Sequence, residues 1–337
     1  VDEFFNLTEL TNVNSIEICS SGISVTPTTL TLPFSSSDVP EQLEGMLVDL
    51  GSGLTVTETF SYGRFGELLL ANGRLFQPTH VAMPGVDANA VAAANALNQI
   101  RIDDAQNGSN PDPLTNPDGT MFDAFNTVRS GSTLIGTAVM HFSFSNYKLQ
   151  PVDIDIIQDN PRKPTPKEVG GSLKVAAFNV LNYFTTFDDA NCNIAAGCRG
   201  ADSASEFTRQ RDKIISALAV INADIVGLVE IENNATAAIQ DLIDGLNTAV
   251  GAGTYAFLDT GMIGTDAINV GFSYKPATFS LVGDFAVLDT SVDPIFIDTR
   301  NRPALAQTFQ EIASGERLTI SVNHFKSKGS PCNDIGD

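Results

Sequence analysis

Residues 224–230 read Asp-Ile-Val-Gly-Leu-Val-Glu, a nearly continuous apolar run. Such a run is typical of a β-strand that is buried on both faces of its sheet. Residues 173–180 form a second apolar run, and between the two lies the capping box Ser203-x-x-Glu206, followed by apolar residues at helical spacing. This strand–helix–strand order predicts an α/β domain.

The pattern continues after the second strand. A second amphipathic helix is expected to begin at Asn234, and further strands are expected at 267–274, 304–309 and 318–323. We therefore assign residues 172–337 to the α/β domain.

Residues 1–157 have a different texture. Short alternating runs, among them 53–60 and 134–144, are separated by Gly, Asn, Ser and Pro, and 87–99 predicts one alanine-rich helix. Several short strands with one helix suit a small barrel or sandwich, so we predict an all-β, OB-like accessory domain over 1–157. Residues 158–171, with three prolines and Gly170-Gly171, predict a stiff exposed linker.

Charge is the most unusual property of the composition. The 337 residues carry 19 Lys and Arg against 40 Asp and Glu, a formal net charge of −21. Binding of nucleic-acid phosphates normally leaves a basic footprint, so this balance argues at first against such a partner. Residues 299–330, however, hold five basic and two acidic side chains. A local field of this kind permits phosphate binding, and the acidity elsewhere fits a solubility device or a salty environment.

The sequence also argues against a membrane span and against a calcium-binding loop. No apolar run approaches the ~18 residues of a membrane span, so we expect no membrane partner. Asp103-Asp104 lacks the spacing of a calcium loop, and we interpret the pair as solvated acids.

The four cysteines indicate the redox environment in which the protein works. Cys192 and Cys198 lie six residues apart in a polar loop without a nearby histidine, which favours a disulfide over a zinc site. A disulfide there implies an oxidising compartment and hence secretion. Cys19 and Cys332 are expected to pair with each other or with sequence outside this chain.

Three predicted strands end in a polar side chain that continues the alternation of the strand. These side chains are Asn179, Glu230 and His324. Polar groups at the carboxyl ends of α/β strands are where sites usually form. A carboxylate for Mg²⁺, a carboxamide and an imidazole together suit metal-assisted phosphodiester hydrolysis.

The motifs around these residues resemble a known superfamily. The stretches at 173–182 and 223–232 resemble the first two motifs of the endonuclease/exonuclease/phosphatase superfamily, and 266–276, 301–304 and 323–329 continue the series in order. The chain is most similar to the secreted bacterial extracellular nucleases, which are relatives of pancreatic deoxyribonuclease and carry a preceding β domain. The resemblance implies a four-layer α/β-β/α sandwich behind that β domain.

The resemblance also implies roles for individual residues. Glu230 matches the metal-binding glutamate, Asn179 the asparagine beside the metal and phosphate, and His324 the first catalytic histidine. Arg302 lies where the family supplies a phosphate-binding arginine, with Asn301 as an alternative register. The other candidates are Asp266 and Asn269 as catalytic-motif residues and Lys326 and Lys328 as contacts to the nucleic-acid backbone.

The resemblance is incomplete at its end. The family's later Gly-Asp-x-Asn motif and its terminal Asp-His pair are absent, and the only histidines are His80, His141 and His324. We therefore expect a truncated domain, with the C-terminal half of the sandwich missing, and we expect residues 1–337 alone to be inactive.

These observations predict the function of the parent protein. We expect a secreted, Mg²⁺-dependent endonuclease that hydrolyses DNA, with RNA as an alternative substrate and Ca²⁺ or Mn²⁺ as alternative metals. Two other interpretations stay open: another phosphoesterase of the superfamily, such as a sphingomyelinase or an inositol-phosphate phosphatase, and a non-catalytic surface protein that keeps the fold.

Overall fold

The computed structural model describes residues 2–158, 161, 163–189, 192, 197–299 and 301–326. The chain divides into two compact units, Val1–Arg162 and Lys163–Asp337. The division lies inside the segment 158–171, where prolines and glycines interrupt both patterns. The functional assignment of the two domains stays a prediction.

The first unit is mostly β-structure. Its elements in chain order are β1 (Asp2–Phe4), β2 (Leu7–Glu9), β3 (Thr28–Thr29), α1 (Val39–Gln42), β4 (Leu47–Asp49), β5 (Leu54–Glu58), α2 (Tyr62–Phe65), β6 (Leu68–Ala71), α3 (Pro78–Val81), α4 (Val86–Leu97), β7 (Ile100–Ile102), β8 (Thr133–Ser143) and β9 (Asn146–Ile157).

Five strands of this unit pair in a closed ring. Each of β5, β6, β7, β9 and β8 pairs with the next, and β8 pairs again with β5. Inward-facing residues such as Val56, Leu70 and Met140 are fully buried inside one cluster. The alternation of apolar and polar residues therefore produces a sheet with one buried face. Its assignment to the OB-like barrels stays a prediction.

Asp103 is not the solvated acid that the sequence predicted. It is 6% exposed, and its Oδ2 lies 3.1 Å from Lys148 Nζ. Lys148, which is also buried, forms a second ion pair with Glu67. Sequence spacing could not reveal this pairing because Asp103, which follows β7, and Lys148 of β9 are 45 residues apart in the chain. The neighbouring Asp104 is partly exposed, and burial raises the pKa of its carboxyl group.

The second unit is an α/β structure. Its elements are β10 (Val175–Tyr183), α5 (Ala204–Ile221), β11 (Ile225–Glu232), α6 (Ala237–Val250), β12 (Ala256–Phe257), β13 (Ile268–Tyr274), β14 (Phe279–Leu288), β15 (Ala304–Glu311) and β16 (Arg317–Val322).

These elements form three layers. One sheet has the order β10-β11-β13-β12 and the other the order β14-β15-β16. Helices α5 and α6 pack on one face of the first sheet through residues such as Ile215 and Leu242. The second sheet packs on the other face, where Phe272 meets Phe309. A sheet covered on both faces explains the continuous apolar run in β11. The predicted fourth layer stays a prediction.

Local signals placed the start of α5 correctly at Ser203, whereas α6 begins at Ala237, a little after the predicted Asn234. Ser203 caps α5 by accepting a hydrogen bond from Glu206 N, and Asn234 Oδ1 accepts one from Ala238 N at the start of α6. Strands β10 and β11 are parallel, as a strand–helix–strand unit requires.

The structure confirms one of the predicted cysteine pairings. The structure contains the disulfide Cys192–Cys198, whose Cα atoms lie 6.0 Å apart. Cys19 is exposed and free, and Cys332 lies outside the described residues. Among the described residues no helix is long and apolar enough to cross a membrane.

Candidate active site

Glu230 occupies a β-bulge in the central strand β11. In the pairing of β11 with β13, Val229 and Ile231 have partners and Glu230 has none. Its φ of 68° lies in the left-handed region, which is uncommon for residues other than glycine and asparagine. Such backbone strain is found where function requires a side chain in one particular direction.

The bulge turns the Glu230 carboxylate toward β10. Oε1 accepts a hydrogen bond from Asn179 Nδ2 at 2.8 Å, and Oε2 accepts one from Asn182 N at 3.1 Å. Asn179 Oδ1 in turn accepts from Leu181 N at 2.7 Å. The carboxylate is therefore fixed by donors on both of its oxygens.

A second bulge, in β10, supplies these donors. Pairing with β11 passes from Asn179 to Tyr183, and both Leu181 and Asn182 have left-handed φ values. Gln210 of α5 donates through Nε2 to Leu181 O at 2.6 Å and lies within hydrogen-bond distance of two neighbouring carbonyl oxygens. Sequence reasoning missed Gln210, because its side chain acts on a strand 30 residues away.

His324 lies on the other side of Glu230, just after β16. Its Nε2 is 3.6 Å from Glu230 Oε1, and its Nδ1 is buried without a hydrogen-bond partner among the described residues. Burial, and after it the Arg302 guanidinium, lower the pKa of His324 below its usual value, against the opposing influence of Glu230. The imidazole is therefore held toward its neutral form, in which one ring nitrogen can donate and the other accept.

Arg302 is joined to this group through backbone and charge. Its backbone N–H donates to His324 O at 3.2 Å, and its Nε lies 2.8 Å from Asp266 Oδ2. The second carboxylate oxygen of Asp266 lies 2.9 Å from Arg199 Nη2. Asp266 thus binds two guanidinium groups, and the sequence had not singled out Arg199.

Asn269 lies beneath the loop that carries Asp266. It is 5% exposed, and its Nδ2 donates to Asn233 Oδ1. Asn233 in turn donates to the carbonyl oxygens of Ile263 and Asp266. In this arrangement Asn269 supports the loop, and a catalytic role for it stays a prediction.

The remaining predicted residues lie at the end of the described chain. Lys326 donates its backbone N–H to Asn301 Oδ1 at 2.8 Å, which places it next to the segment of Arg302. Asn301, which was the alternative to Arg302 for this motif position, therefore accepts a hydrogen bond from the backbone of Lys326. Lys328 lies outside the described residues.

The structure brings Asn179, Glu230 and His324 together, but the predicted alternation fails at Glu230 in β11, and in β10 the alternate residues that precede Asn179 are exposed and not, as predicted, directed inward. In β10, Val175 and Ala177 are exposed, and it is Ala176 and Phe178 that pack toward the helices. In β11, Val226 and Leu228 also face the helices, whereas the bulge turns Glu230 away from them. A bulge shifts the alternation by one residue, and a period-two pattern does not reveal it.

The donor set at Glu230 suits a hard divalent cation. Magnesium is commonly held by one or two carboxylates together with waters and substrate phosphate, and Glu230 supplies one oriented carboxylate. Asn179 directs its amide nitrogen to Glu230, so in this conformation it orients the carboxylate, and its role as a second ligand stays a prediction. The described residues include no group of three or more His, Cys, Asp or Glu side chains placed to hold a metal by themselves.

Comparison with protein-family models finds no match, and no curated protein matches the chain. Among solved structures, one similar chain is the catalytic domain of human Nocturnin with bound sulfate, at 16% identity and a TM-score of 0.31, over 47% of this chain and 51% of that one. A second is an endonuclease/exonuclease/phosphatase family protein from Bacteroides thetaiotaomicron, at 16% identity and a TM-score of 0.31, over 47% and 52%.

A third similar structure is ANGEL2, a 2′,3′-cyclic phosphatase, at 17% identity and a TM-score of 0.26, over 34% of this chain and 31% of that one. The chain thus spans about half the length of the first two of these proteins. Membership of the chain in the endonuclease/exonuclease/phosphatase superfamily stays a prediction.

Proposed function

We propose that the parent protein is a secreted, divalent-metal-dependent nuclease that hydrolyses phosphodiester bonds in DNA, with RNA as the alternative substrate. The observation that carries the proposal is the carboxylate of Glu230, held on a strained bulge between Asn179 and His324. The left-handed φ of 68° at Glu230, together with donors on both carboxylate oxygens, favours a chemical use of this side chain over a surface protein that only keeps the fold.

Each side chain has a part in this proposal. Glu230 is the metal ligand, and Asn179 and Asn182 N orient it. A divalent cation bound there, with Mg²⁺ as the first candidate, would neutralise charge on the phosphate oxygens. His324 in its neutral form donates a hydrogen bond to a phosphate oxygen, and only its protonated form could give a proton to the leaving oxygen, so the lowered pKa favours the hydrogen bond.

Arg302 supplies the fixed positive charge of the site. A guanidinium provides several donors in one plane, which suits phosphate oxygens better than a single ammonium group does. Its backbone hydrogen bond to His324 O ties the two side chains to one segment of backbone. Charge that develops on the phosphate would therefore meet a cation that needs no rearrangement.

Metal binding can be tested on the 337-residue chain without turnover. Glu230→Gln keeps the size of the side chain and removes its charge, so we expect at least a tenfold loss of Mn²⁺ affinity in water-proton relaxation titrations. Asp284→Asn, at an exposed position on β14, is the matched control and should leave the affinity unchanged. Equal Mn²⁺ affinity in wild type and Glu230→Gln would show that Glu230 is not a metal ligand.

Activity is tested on the full-length protein. Plasmid DNA should be cleaved with Mg²⁺ and spared with chelator. A parallel panel of RNA, phospholipid and phosphomonoester substrates separates the nuclease from other phosphoesterases. Absence of any metal-dependent cleavage would reject the nuclease proposal.

A further inference from the structure

The loop between β10 and α5, here called the 185–202 loop, is anchored where it leaves the first sheet. Buried Glu232 accepts hydrogen bonds through Oε2 from Thr185 N at 2.7 Å, Thr185 Oγ1 at 2.9 Å and Thr186 N at 3.2 Å. Glu232 is two residues beyond Glu230 on the same strand. The first turn of the loop is thus fixed to the strand that carries the proposed metal ligand.

The far end of the loop is fixed as well. Asp188 N donates to Ala201 O at 3.0 Å, and the disulfide Cys192–Cys198 closes the segment between them. Arg199 follows directly after the second cysteine. Its guanidinium reaches Asp266 Oδ1 at 2.9 Å. A covalent cross-link and two backbone anchors therefore place Arg199 beside Asp266.

Asp266 is itself held in place from the opposite side. Asn233 donates to Asp266 O, and Ala267 N donates to Asp266 Oδ1 at 2.7 Å. Asp266 binds Arg199 through Oδ1 and Arg302 through Oδ2. Both carboxylate oxygens of Asp266 thus face guanidinium groups.

The charges of this group favour an anion. Two guanidinium groups around one carboxylate leave a net charge of +1, in a protein whose net charge is −21. The ion pair engages Nε of Arg302, so its two terminal nitrogens lie outside that contact. The Arg199 side chain is 37% exposed, compared with 16% for Arg302. A phosphate can therefore approach Arg199 from solvent while Arg302 lies deeper, beside His324.

We propose that Arg199 and Arg302 form a two-arginine site for backbone phosphates of the nucleic acid, with Asp266 as its positioning residue and the disulfide-closed loop as the support of Arg199. The proposal rests on the proposed nuclease function and adds to it a second phosphate contact from a loop outside the resembling motifs. Asp266 is thus assigned a structural task in substrate binding.

The test uses a fluorescently labelled DNA duplex with phosphorothioate linkages and the 337-residue chain in MgCl₂, followed by anisotropy over a range of NaCl concentrations. Asp266→Asn removes one negative charge, so long-range electrostatics alone predicts tighter binding. The positioning role predicts the opposite, a loss of about three- to tenfold in affinity, because both guanidinium groups lose the carboxylate that orients them. Asp284→Asn makes the same change of charge at an exposed position on β14 and should bind as tightly as wild type or more tightly.

Two further variants examine the arginines directly. Arg199→Ala and Arg302→Ala should each weaken binding and reduce the slope of log affinity against log salt by about one. Thermal unfolding of every variant verifies that the fold is kept. If Asp266→Asn is unfolded, the two-arginine site is tested by the salt dependence of DNA affinity in Arg199→Ala alone.

The outcomes separate the two proposals. The two-arginine site is overturned if Asp266→Asn binds DNA as tightly as Asp284→Asn does. It is also overturned if Arg199→Ala leaves the salt dependence of affinity unchanged. Either result leaves the nuclease proposal standing. Failure of the wild-type chain to bind the duplex in MgCl₂, together with an inactive parent protein, would count against the nuclease function itself.

Discussion

At the scale of single residues, the site depends on backbone conformations that are unusual for the residues that adopt them. Glu230, Leu181 and Asn182 all have φ near +50° to +70°. Each such residue is strained relative to an ordinary strand, so surrounding contacts must hold it. The contacts found here are hydrogen bonds from Asn179 and Asn182 of β10 to Glu230, and from Gln210 of α5 to the β10 bulge.

Gln210 gives the first prediction at this scale. Gln210→Ala removes the donor to the carbonyl oxygens of the β10 bulge, which should release Asn182 N from Glu230 Oε2. We expect a loss of about 1–2 kcal/mol in the free energy of unfolding, the usual effect of a carbonyl left without its donor. Mn²⁺ affinity should fall severalfold in the same relaxation titration.

Gln240→Ala is the matched control for this change. Gln240 lies exposed on α6, and its side chain donates to Asp244 of the same helix. It should change neither metal affinity nor stability by more than a few tenths of a kcal/mol. If Gln210→Ala changes stability and Mn²⁺ affinity as little as Gln240→Ala does, the β10 bulge keeps its shape without the Gln210 side chain.

At the scale of elements, the close approach of the two sheets sets the position of His324. Gly227 of β11 faces Val322 of β16, and a β-carbon built on Gly227 would lie 2.7 Å from Val322 Cγ2. That distance is too short for any side chain at 227 unless one sheet moves. His324 follows Val322 by two residues, so the same contact brings the imidazole toward Glu230.

A double-mutant cycle tests this packing. Gly227→Ala should lower the free energy of unfolding by about 1–3 kcal/mol through overpacking. Val322→Ala makes room for the new methyl group, so the double variant should be more stable than the sum of the single changes by about 1 kcal/mol. Urea unfolding measures all three.

Gly63→Ala serves as the control for this cycle, because nothing lies within 4 Å of the β-carbon that it would add. It should be neutral or slightly stabilising. Strict additivity of Gly227→Ala and Val322→Ala would mean that the two residues do not share the contact.

At the scale of the whole molecule, the dominant property is a net charge of −21. Repulsion among exposed carboxylates destabilises the compact state, and salt screens it. Attraction between a phosphate and the two arginines is screened by the same salt. Stability and nucleic-acid binding should therefore respond to salt in opposite directions.

Calorimetry in NaCl between about 0.02 M and about 0.5 M provides the measurement, since the screening length falls severalfold over this range. We expect the unfolding midpoint to rise, while duplex affinity falls. A trehalose series at constant ionic strength controls for general solute effects. A midpoint that is flat or falls with NaCl would show that carboxylate repulsion is not a main term in stability.

The sequence by itself determined the strand–helix–strand unit and three residues that lie together at the candidate site, because helix caps, apolar runs and strand-end polar residues are local signals; it did not predict strand β14. It predicted the cap of α5 at Ser203 and the disulfide that the structure contains, whereas α6 begins at Ala237 and not at the predicted Asn234. It also singled out Asn179, Glu230 and His324, which lie together.

Only the tertiary structure decided how these residues meet. The bulge at Glu230, the support from Gln210, and the pairing of Asp266 with Arg199 all join residues that are distant in the chain. The buried ion pair of Asp103 with Lys148 arises in the same way. Such contacts depend on which strands become neighbours, and that is determined by burial of apolar surface over the whole domain and not by spacing along the sequence.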